Sequence, residues 1–446
     1  MPASGLAELR ITWNHFFVPP MYRFLFATLL LSACAFAADD IWRSDGYGLV
    51  LEIQGQKISA FEITSVSCIP VSADDGKLLP GGSAEERRIH FEGAAADVVL
   101  HRVAAKPKAC EKPTVNTPES NYAVFWQTFA ENYPFFEMKH VDWQAVDKRF
   151  RPRVTAETKP EELFAILQEM IEPLQDAHTG IGARAIHRAF HGMRPDPNHL
   201  TGDAWQQARD VMAAKYLQGE MQSFCNGHVR FGMLRDGIAY MRVDSFNSYA
   251  SGGYAAETAA LTAALDAGFR DTHGWRGLVI DVRRNTGGAD PWGIDIAARL
   301  TGAKYLAYSK QTRDNLDGPL HFTAPQECWV VPSTRPGYRG PVVLLTGPDT
   351  ISAGETFTMA LMGREPHATR IGANTQGVFS DVLGRKLPNG WQFGLPNEVY
   401  LTKDGKAFDG PGIPPDENVP YFSAADLAAG RDAALDRAII KLSNIP

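Results

Sequence analysis

The sequence predicts an α/β fold built on a parallel sheet, and three observations carry that expectation. Two continuous apolar runs, Gly277-Leu-Val-Ile-Asp-Val-Arg283 and Gly340-Pro-Val-Val-Leu-Leu345, have the length and branched content of strands buried on both faces. Each leads through a glycine-containing turn into a helical stretch, Pro291 to Leu300 and Ala353 to Met362. A further strand, Gly237 to Val243, precedes them, and repeated strand–turn–helix units imply parallel pairing with right-handed crossovers. Such sheets hold ligands at the carboxyl ends of their strands, so the two turns are where chemistry is expected.

The remaining elements fit around that core. Leu163, Ile166, Leu167, Met170, Ile171 and Leu174 recur at helical spacing on one face, with Thr158 as cap and Glu161 and Glu162 in the first turn. Phe125, Phe129 and Tyr133 form a similar stripe upstream, and both stripes read as packing faces. Residues 40–110 read as short strands, Tyr47 to Ile53, Ile58 to Ile69, Arg87 to Glu92 and Ala96 to Val103, separated by Gly, Asp and Pro. Lys106 to Pro118, with three prolines, reads as a linker.

Length and composition bound the function. The chain has 446 residues, several domains' worth, and 44% hydrophobic with 21% charged residues provides an ordinary globular core. Lys+Arg number 44 against 51 Asp+Glu, a net charge of −7 with no basic run, which argues against nucleic-acid binding. Met21-Tyr-Arg, an apolar run from Phe24 to Leu31 and Ala35-Phe-Ala37 have the layout of a secretory leader whose start is Met21, and the run is too short to span a bilayer. Two processing routes stay open: cleavage after Ala37, or lipidation of Cys34 in Leu31-Ser-Ala-Cys34 with a lipid anchor. Either exports the chain, to a bacterial periplasm or envelope. Past the leader, Cys68, Cys110, Cys225 and Cys328 allow three pairings, and sequence order makes Cys68–Cys110 with Cys225–Cys328 the simplest. No cysteine–histidine cluster has zinc spacing, and His187, His191 and His199 are spread along a polar stretch, so no metal is expected.

The first turn reads Asp281-Val-Arg-Arg-Asn285-Thr-Gly287-Gly288, and its glycine pair lets the backbone turn sharply with N–H groups outward, suiting an oxyanion. It lacks the lysine and spacing of nucleotide motifs, so no cofactor is expected. The second reads Thr350-Ile-Ser352-Ala353-Gly-Glu355 and places Ser352 after a buried strand at a helix N-terminus. There the helix dipole favours an alkoxide and the Ala353 N–H can donate to an oxyanion, though Ser352 also reads as a plain cap. The histidine with a matching context is His178 in Asp176-Ala-His178-Thr-Gly180, at a break after the amphipathic helix.

Asp176-Ala-His178-Thr, the Gly-Ile-Ala-Tyr strand, Asp-x-Arg-x-Asn-x-Gly-Gly, Ser-Ala-Gly-Glu, Gly372-x-x-Thr375-x-Gly377 and Gly412-Ile-x-Pro-Asp416 occur in the order found in the S41 peptidases, the C-terminal-processing and tricorn-core proteases. The resemblance covers roughly residues 119–421. It implies a crotonase-like α/β core preceded by a helical segment, serine endopeptidase activity, and no metal or organic cofactor. The processing branch carries a lysine base directly after Gly-x-x-Thr-x-Gly, where this chain has Val378, and a PDZ domain for which the residues between Gly180 and Phe231 leave little room. The site therefore looks like that of the tricorn core, with Ser352 as nucleophile, His178 as base, and Asp409 at the position of that branch's orienting glutamate, one methylene shorter. The oxyanion would face the N–H of Ala353 and of Gly287 or Gly288, and Glu355 reads as structural.

The expected organisation is a leader over 1–37, a small β module over 38–110, a linker over 111–118, a helical domain carrying His178 over 119–185, a connecting segment over 186–230 and a catalytic core over 231–446. The partner would be a peptide or protein substrate, and the sequence is silent on oligomeric state. The alternative is a non-catalytic protein binding a peptide or apolar ligand on the same scaffold.

Overall fold

In the central sheet alternate side chains go to opposite faces, and both faces are covered. The computed structural model describes residues 40–446 except 55–56, 72–75, 197–198, 201, 315–319, 421 and 446, so the leader, its start at Met21 and the Cys34 anchor lie outside the described residues. Every residue of Ile238–Val243, Gly277–Asp281 and Val342–Thr346 is buried. Ala239, Met241, Leu278, Ile280, Val342 and Leu344 join the core formed with the helices Tyr254–Gly268, Asp290–Ala298 and Ala353–Met362. Ile238, Tyr240, Val279, Val343 and Leu345 join a second core with the helices Gly202–Lys215 and Ala433–Ser443. Two covered faces explain why these strands read as unbroken apolar runs.

The sheet runs Gln222–Phe224, Val229–Met233, Ile238–Val243, Gly277–Asp281, Val342–Thr346, Thr369–Gly372 and Glu417–Asn418. Its first three strands are antiparallel and the rest parallel, as the two strand–turn–helix units require. The fold is the mixed α/β architecture expected. The helices Pro118–Asn132 and Pro160–Ile171 bury Phe125, Phe129, Phe164 and Leu167 against Phe393 and Leu395 of a second sheet, ordered Val382–Lys386, Gln392–Pro396, Gly180–Ala183 and Arg188–His191. The stripe residues therefore deliver the turn carrying His178 to a strand of the same sheet. A third sheet pairs Gln326–Val330, Tyr305–Thr312 and Glu398–Leu401.

Two local expectations change. Thr158 is not the cap of the long amphipathic helix; Lys159 is, with its N–H donating to the Glu162 carboxylate at 3.1 Å. Pro160 at the first helical position forces the preceding residue into an extended conformation, and Thr158 instead accepts from the Thr155 N–H at 2.8 Å. The run Ile58 to Ile69 is two strands, Lys57–Thr64 and Ser67–Val71, paired with Ile63 opposite Cys68. They belong to a seven-stranded antiparallel sheet over residues 40–103 whose core holds Trp42, Leu51 and Leu100.

Cys68 and Cys110 form a disulfide across that sheet's edge, but Cys225 and Cys328 do not pair. This corrects the expected second disulfide. Cys225 sits in the turn before Val229–Met233, whereas Cys328 lies in the third sheet with its sulfur 3.5 Å from the Ala95 carbonyl. Burial pushes each thiol up to about 12, so both are neutral and unreactive at ordinary pH. The chain from residue 40 onward should therefore show two titratable thiols in denaturant before reduction and four after it. Four before reduction would contradict the pairing.

Candidate active site

The two turns at the ends of Gly277–Asp281 and Val342–Thr346 meet, and glycine makes the meeting possible. A Cβ on Gly287 would lie 2.6 Å from Ser352 Cβ and 3.1 Å from Ser352 Oγ. Gly287 and Gly288 have φ of +91° and +135°, and a Cβ on Gly288 would fall 1.9 Å from the Phe246 carbonyl oxygen. Asn285 holds the turn: its amide donates to the Val243 carbonyl at 3.0 Å and accepts from the Gly287 N–H at 2.9 Å. Its own carbonyl accepts from the Ile351 N–H at 2.9 Å, which joins the two turns directly.

Ser352 adopts φ 56° and ψ −122°, a conformation that a non-glycine residue holds only when its surroundings impose it. The surroundings are identifiable. Its N–H donates to the Val378 carbonyl at 3.1 Å, and Thr350 is buried with its hydroxyl between the Val282 carbonyl at 2.8 Å and the Gly347 N–H at 3.1 Å. Threonine replaces the first glycine of the usual elbow because this hydroxyl closes the turn. Ser352 remains partly exposed at the N-terminus of a buried helix.

Gly287 and Gly288 are not equivalent. The Gly287 N–H is committed to Asn285, whereas the N–H groups of Gly288 and Ala353 take no acceptor among the described residues. Of the two glycines expected beside an oxyanion, Gly288 is thus the one with a free donor.

Glu355 underpins the nucleophile turn. One carboxylate oxygen accepts from the Gly377 N–H at 2.6 Å, and the other from Val378 at 2.8 Å and Ser352 at 3.3 Å. Burial nevertheless pushes it up to about 7, against the pull of those donors. Val378 is buried and its backbone rather than its side chain meets Ser352. Arg194 ties this loop to the next, donating to the Thr375 carbonyl at 3.0 Å and the Gly410 carbonyl at 2.7 Å.

His178 lies in a tight turn built by Asp176, whose carboxylate accepts the His178 N–H at 2.9 Å and the Tyr133 hydroxyl at 2.9 Å. The ring is 4% exposed, and its Nδ1 has no hydrogen-bond partner. Burial lowers its pKa, Asp176 and Asp381 oppose that, and His191 adds to it. Asp409 is likewise buried, and neither carboxylate oxygen has a partner of normal geometry. Burial and then the carboxyl groups of Glu355 and Asp176 push it well above the usual carboxylate range. Asp409 and His178 therefore do not hydrogen-bond to one another. Among the described residues no three His, Cys, Asp or Glu side chains could hold a metal ion together.

Sequence reasoning passed over three groups here. Asp290 receives the Thr356 hydroxyl at 2.7 Å and the Tyr400 hydroxyl at 2.8 Å, linking the glycine turn to the nucleophile helix. Lys310 is buried between Asp381 and Glu398. Its signal was a charge on the inward face of an alternating strand, since Tyr308, Lys310 and Thr312 are all buried. Arg283 is fully buried, paired with Asp281 at 2.6 Å and Asp432 at 2.8 Å. Burial opposes the charge of Asp281, but Arg283 overcomes it and holds its carboxyl below the ordinary range. The stability this contributes is present above about pH 4 and lost as pH falls through the depressed value. Arg283→Ala would leave two buried carboxylates unpaired and should cost about 3–5 kcal/mol, read from the urea midpoint at neutral pH. Arg283→Lys should recover only part of it, because a lysine cannot fork onto both acids.

The peptidase family S41 model matches residues 237–419, and the tricorn protease C1 domain model matches 115–172. A candidate peptidase from Parabacteroides merdae is similar at 26% identity and a TM-score of 0.62, over 74% of this chain and 97% of that one. Mature CPAF complexed with lactacystin shares the fold at 11% identity and a TM-score of 0.52, over 74% of this chain and 99% of that one. No curated protein sequence is a recognisable relative. With the core and the helical segment matched in order, and the two strand-end turns joined around Ser352, the chain belongs to peptidase family S41 and is a serine-type peptidase.

Proposed function

We propose that the chain is an exported serine endopeptidase in which Ser352 is the nucleophile, His178 the general base and Asp409 the third, orienting acid. The observation that carries this reading is the strained Ser352, held beside the uncommitted N–H groups of Ala353 and Gly288. In this scheme Ser352 Oγ attacks the peptide carbonyl while its proton passes to the His178 imidazole. The carbonyl oxygen gains negative charge between Ala353 and Gly288, whose donors are already in place and need no reorganisation. The imidazolium then protonates the departing amine, and water reverses the sequence to release the acyl group.

Asp409 enters through charge. Burial holds its carboxyl well above the usual carboxylate range, and a positive charge formed on His178 would favour its ionised form. Residues 231–446 are read as the catalytic core, 119–185 as the part that delivers His178, and 38–110 as the β module, with 111–118 and 186–230 joining them. Export is supported by the leader pattern at Met21 and by the Cys68–Cys110 disulfide.

Peptides released from a bacterial periplasmic extract test the reading. Wild-type chain should generate new termini, and Ser352→Ala and His178→Ala should each abolish them to a similar degree, because the two act as one unit. Asp409→Asn should cost at least about tenfold in kcat, and less than the other two. Since burial lowers His178, the acid limb of kcat/KM should fall below the ordinary imidazole value of about 6.5. An enzyme with His178→Ala and near-full turnover would remove the base assignment. A wild-type chain that releases nothing Ser352→Ala does not also release would favour the binding-protein alternative.

The segment between the His178 turn and the core holds the helix Gly202–Lys215 and the short strand Gln222–Phe224 in place of a separate carboxylate-binding domain. Amidating the C-terminus of a cleaved substrate should therefore leave its kcat/KM within about twofold, the scale of a contact outside any ionic anchor. Loss of cleavage on amidation would contradict this.

A further inference from the structure

A turn of the N-terminal β sheet reaches into the buried charges beside the peptidase site. Tyr47, between the strands Asp40–Ser44 and Leu49–Gln54, has φ +56° and donates its hydroxyl to Glu398 Oε1. Neighbouring contacts pin it there: the Gly46 N–H donates to Asp314 Oδ1 at 2.8 Å, and Arg385 donates to the Tyr47 carbonyl. Glu398 is fully buried and pairs with Lys310 Nζ at 2.9 Å through the same oxygen that Tyr47 contacts. Its other oxygen accepts the Asp381 N–H at 3.0 Å. Lys310 Nζ in turn binds Asp381 Oδ2 at 3.0 Å, although the Asp381 side chain is 41% exposed and water could take that place. Burial works against the lysine's charge, and Asp381 and Glu398 overcome it.

The end of this chain leads into the sheet that also carries the His178 turn. Asp381 immediately precedes the strand Val382–Lys386, which pairs with Gln392–Pro396, and that strand pairs with Gly180–Ala183 just after His178. The absence of a side chain at Gly394 lets the outer elements approach. The point where its Cβ would sit is 2.7 Å from Val382 Cγ1 and 3.8 Å from the His178 carbonyl.

We propose that Asp381 is a positioning residue for His178, and that Tyr47, acting through Glu398 and Lys310, keeps it there, so that the N-terminal β sheet is a working part of the peptidase site. The inference rests on the reading of His178 as base. Without the Tyr47 hydroxyl, Glu398 has a free lone pair to draw Lys310 inward, and the exposed carboxylate of Asp381 relaxes into solvent. His178 then keeps Asp176 on its own turn and His191 on Arg188–His191, but loses the Asp381 carboxylate at the head of the outer strand of its own sheet. Around Lys310 the remaining ionisable neighbours are Asp290, Tyr308, Tyr400 and Cys328, all buried.

The test is the rate at which a fluorophosphonate modifies the mature chain, followed from pH 4.5 to 9. The negative charge of Asp381 favours imidazolium, so Asp381→Asn should move the acid limb to lower pH and cut the plateau rate about tenfold, the effect of one pKa unit. Asp381→Glu should restore most of both. Tyr47→Phe should shift the limb and plateau in the same directions, and the double variant should be no worse than Asp381→Asn alone, because both act on one path. A purely structural tyrosine would lower the melting temperature and leave the limb in place. A wild-type limb and plateau in Asp381→Asn, alongside a lost reaction in His178→Ala, would overturn this proposal alone. A reaction insensitive to His178→Ala, or absent from the wild type, would overturn the underlying reading with it.

Discussion

The site depends on the contact between Gly287 and Ser352. Two parallel strands end side by side, and their turns can touch only because no Cβ stands between them. Asn285 converts that approach into a fixed geometry by binding Val243, Gly287 and Ile351 at once, one partner from each of three neighbouring strand ends. The strain at Ser352, the free N–H of Gly288 and the placement of the helix Ala353–Met362 all follow from that junction. Asp290 repeats the logic one turn later by joining the second helix to the first through Thr356.

Buried charge is handled in two opposite ways on either side of this junction. Arg283 with Asp281 and Asp432, and Lys310 with Glu398 and Asp381, are ionised networks in which cations and hydrogen bonds offset burial. Among the described residues no cation lies within hydrogen-bonding reach of Asp409, and burial raises that acid and lowers the His178 imidazole. A histidine held below its ordinary value suits general-base chemistry, since the base must be unprotonated before it acts.

Much of this was legible in the sequence, for physical reasons that also mark the limit. Buried parallel strands leave unbroken apolar runs, so the helix Ala353–Met362 and the turns flanking it could be placed to the residue. Helical stripes located the segment that carries His178. Contacts between distant elements leave no local trace: Tyr47 and Glu398 are 351 residues apart, and nothing around Tyr47 distinguishes it from an ordinary turn residue. The Cys225–Cys328 pairing failed for the same reason, since order along the chain says nothing about which sheet each sulfur faces. Between Gly287 and Gly288 the choice turned on one side-chain hydrogen bond from Asn285, which spacing alone does not reveal.

The central claim is that this junction makes Ser352 a nucleophile. Peptide mapping by mass spectrometry after exposure to a fluorophosphonate addresses it without knowledge of the natural substrate. The account predicts a single phosphonyl adduct, on the peptide containing Ser352, lost when the protein is denatured before treatment. An unmodified Ser352 in folded protein, or an adduct carried only by another residue, would contradict it.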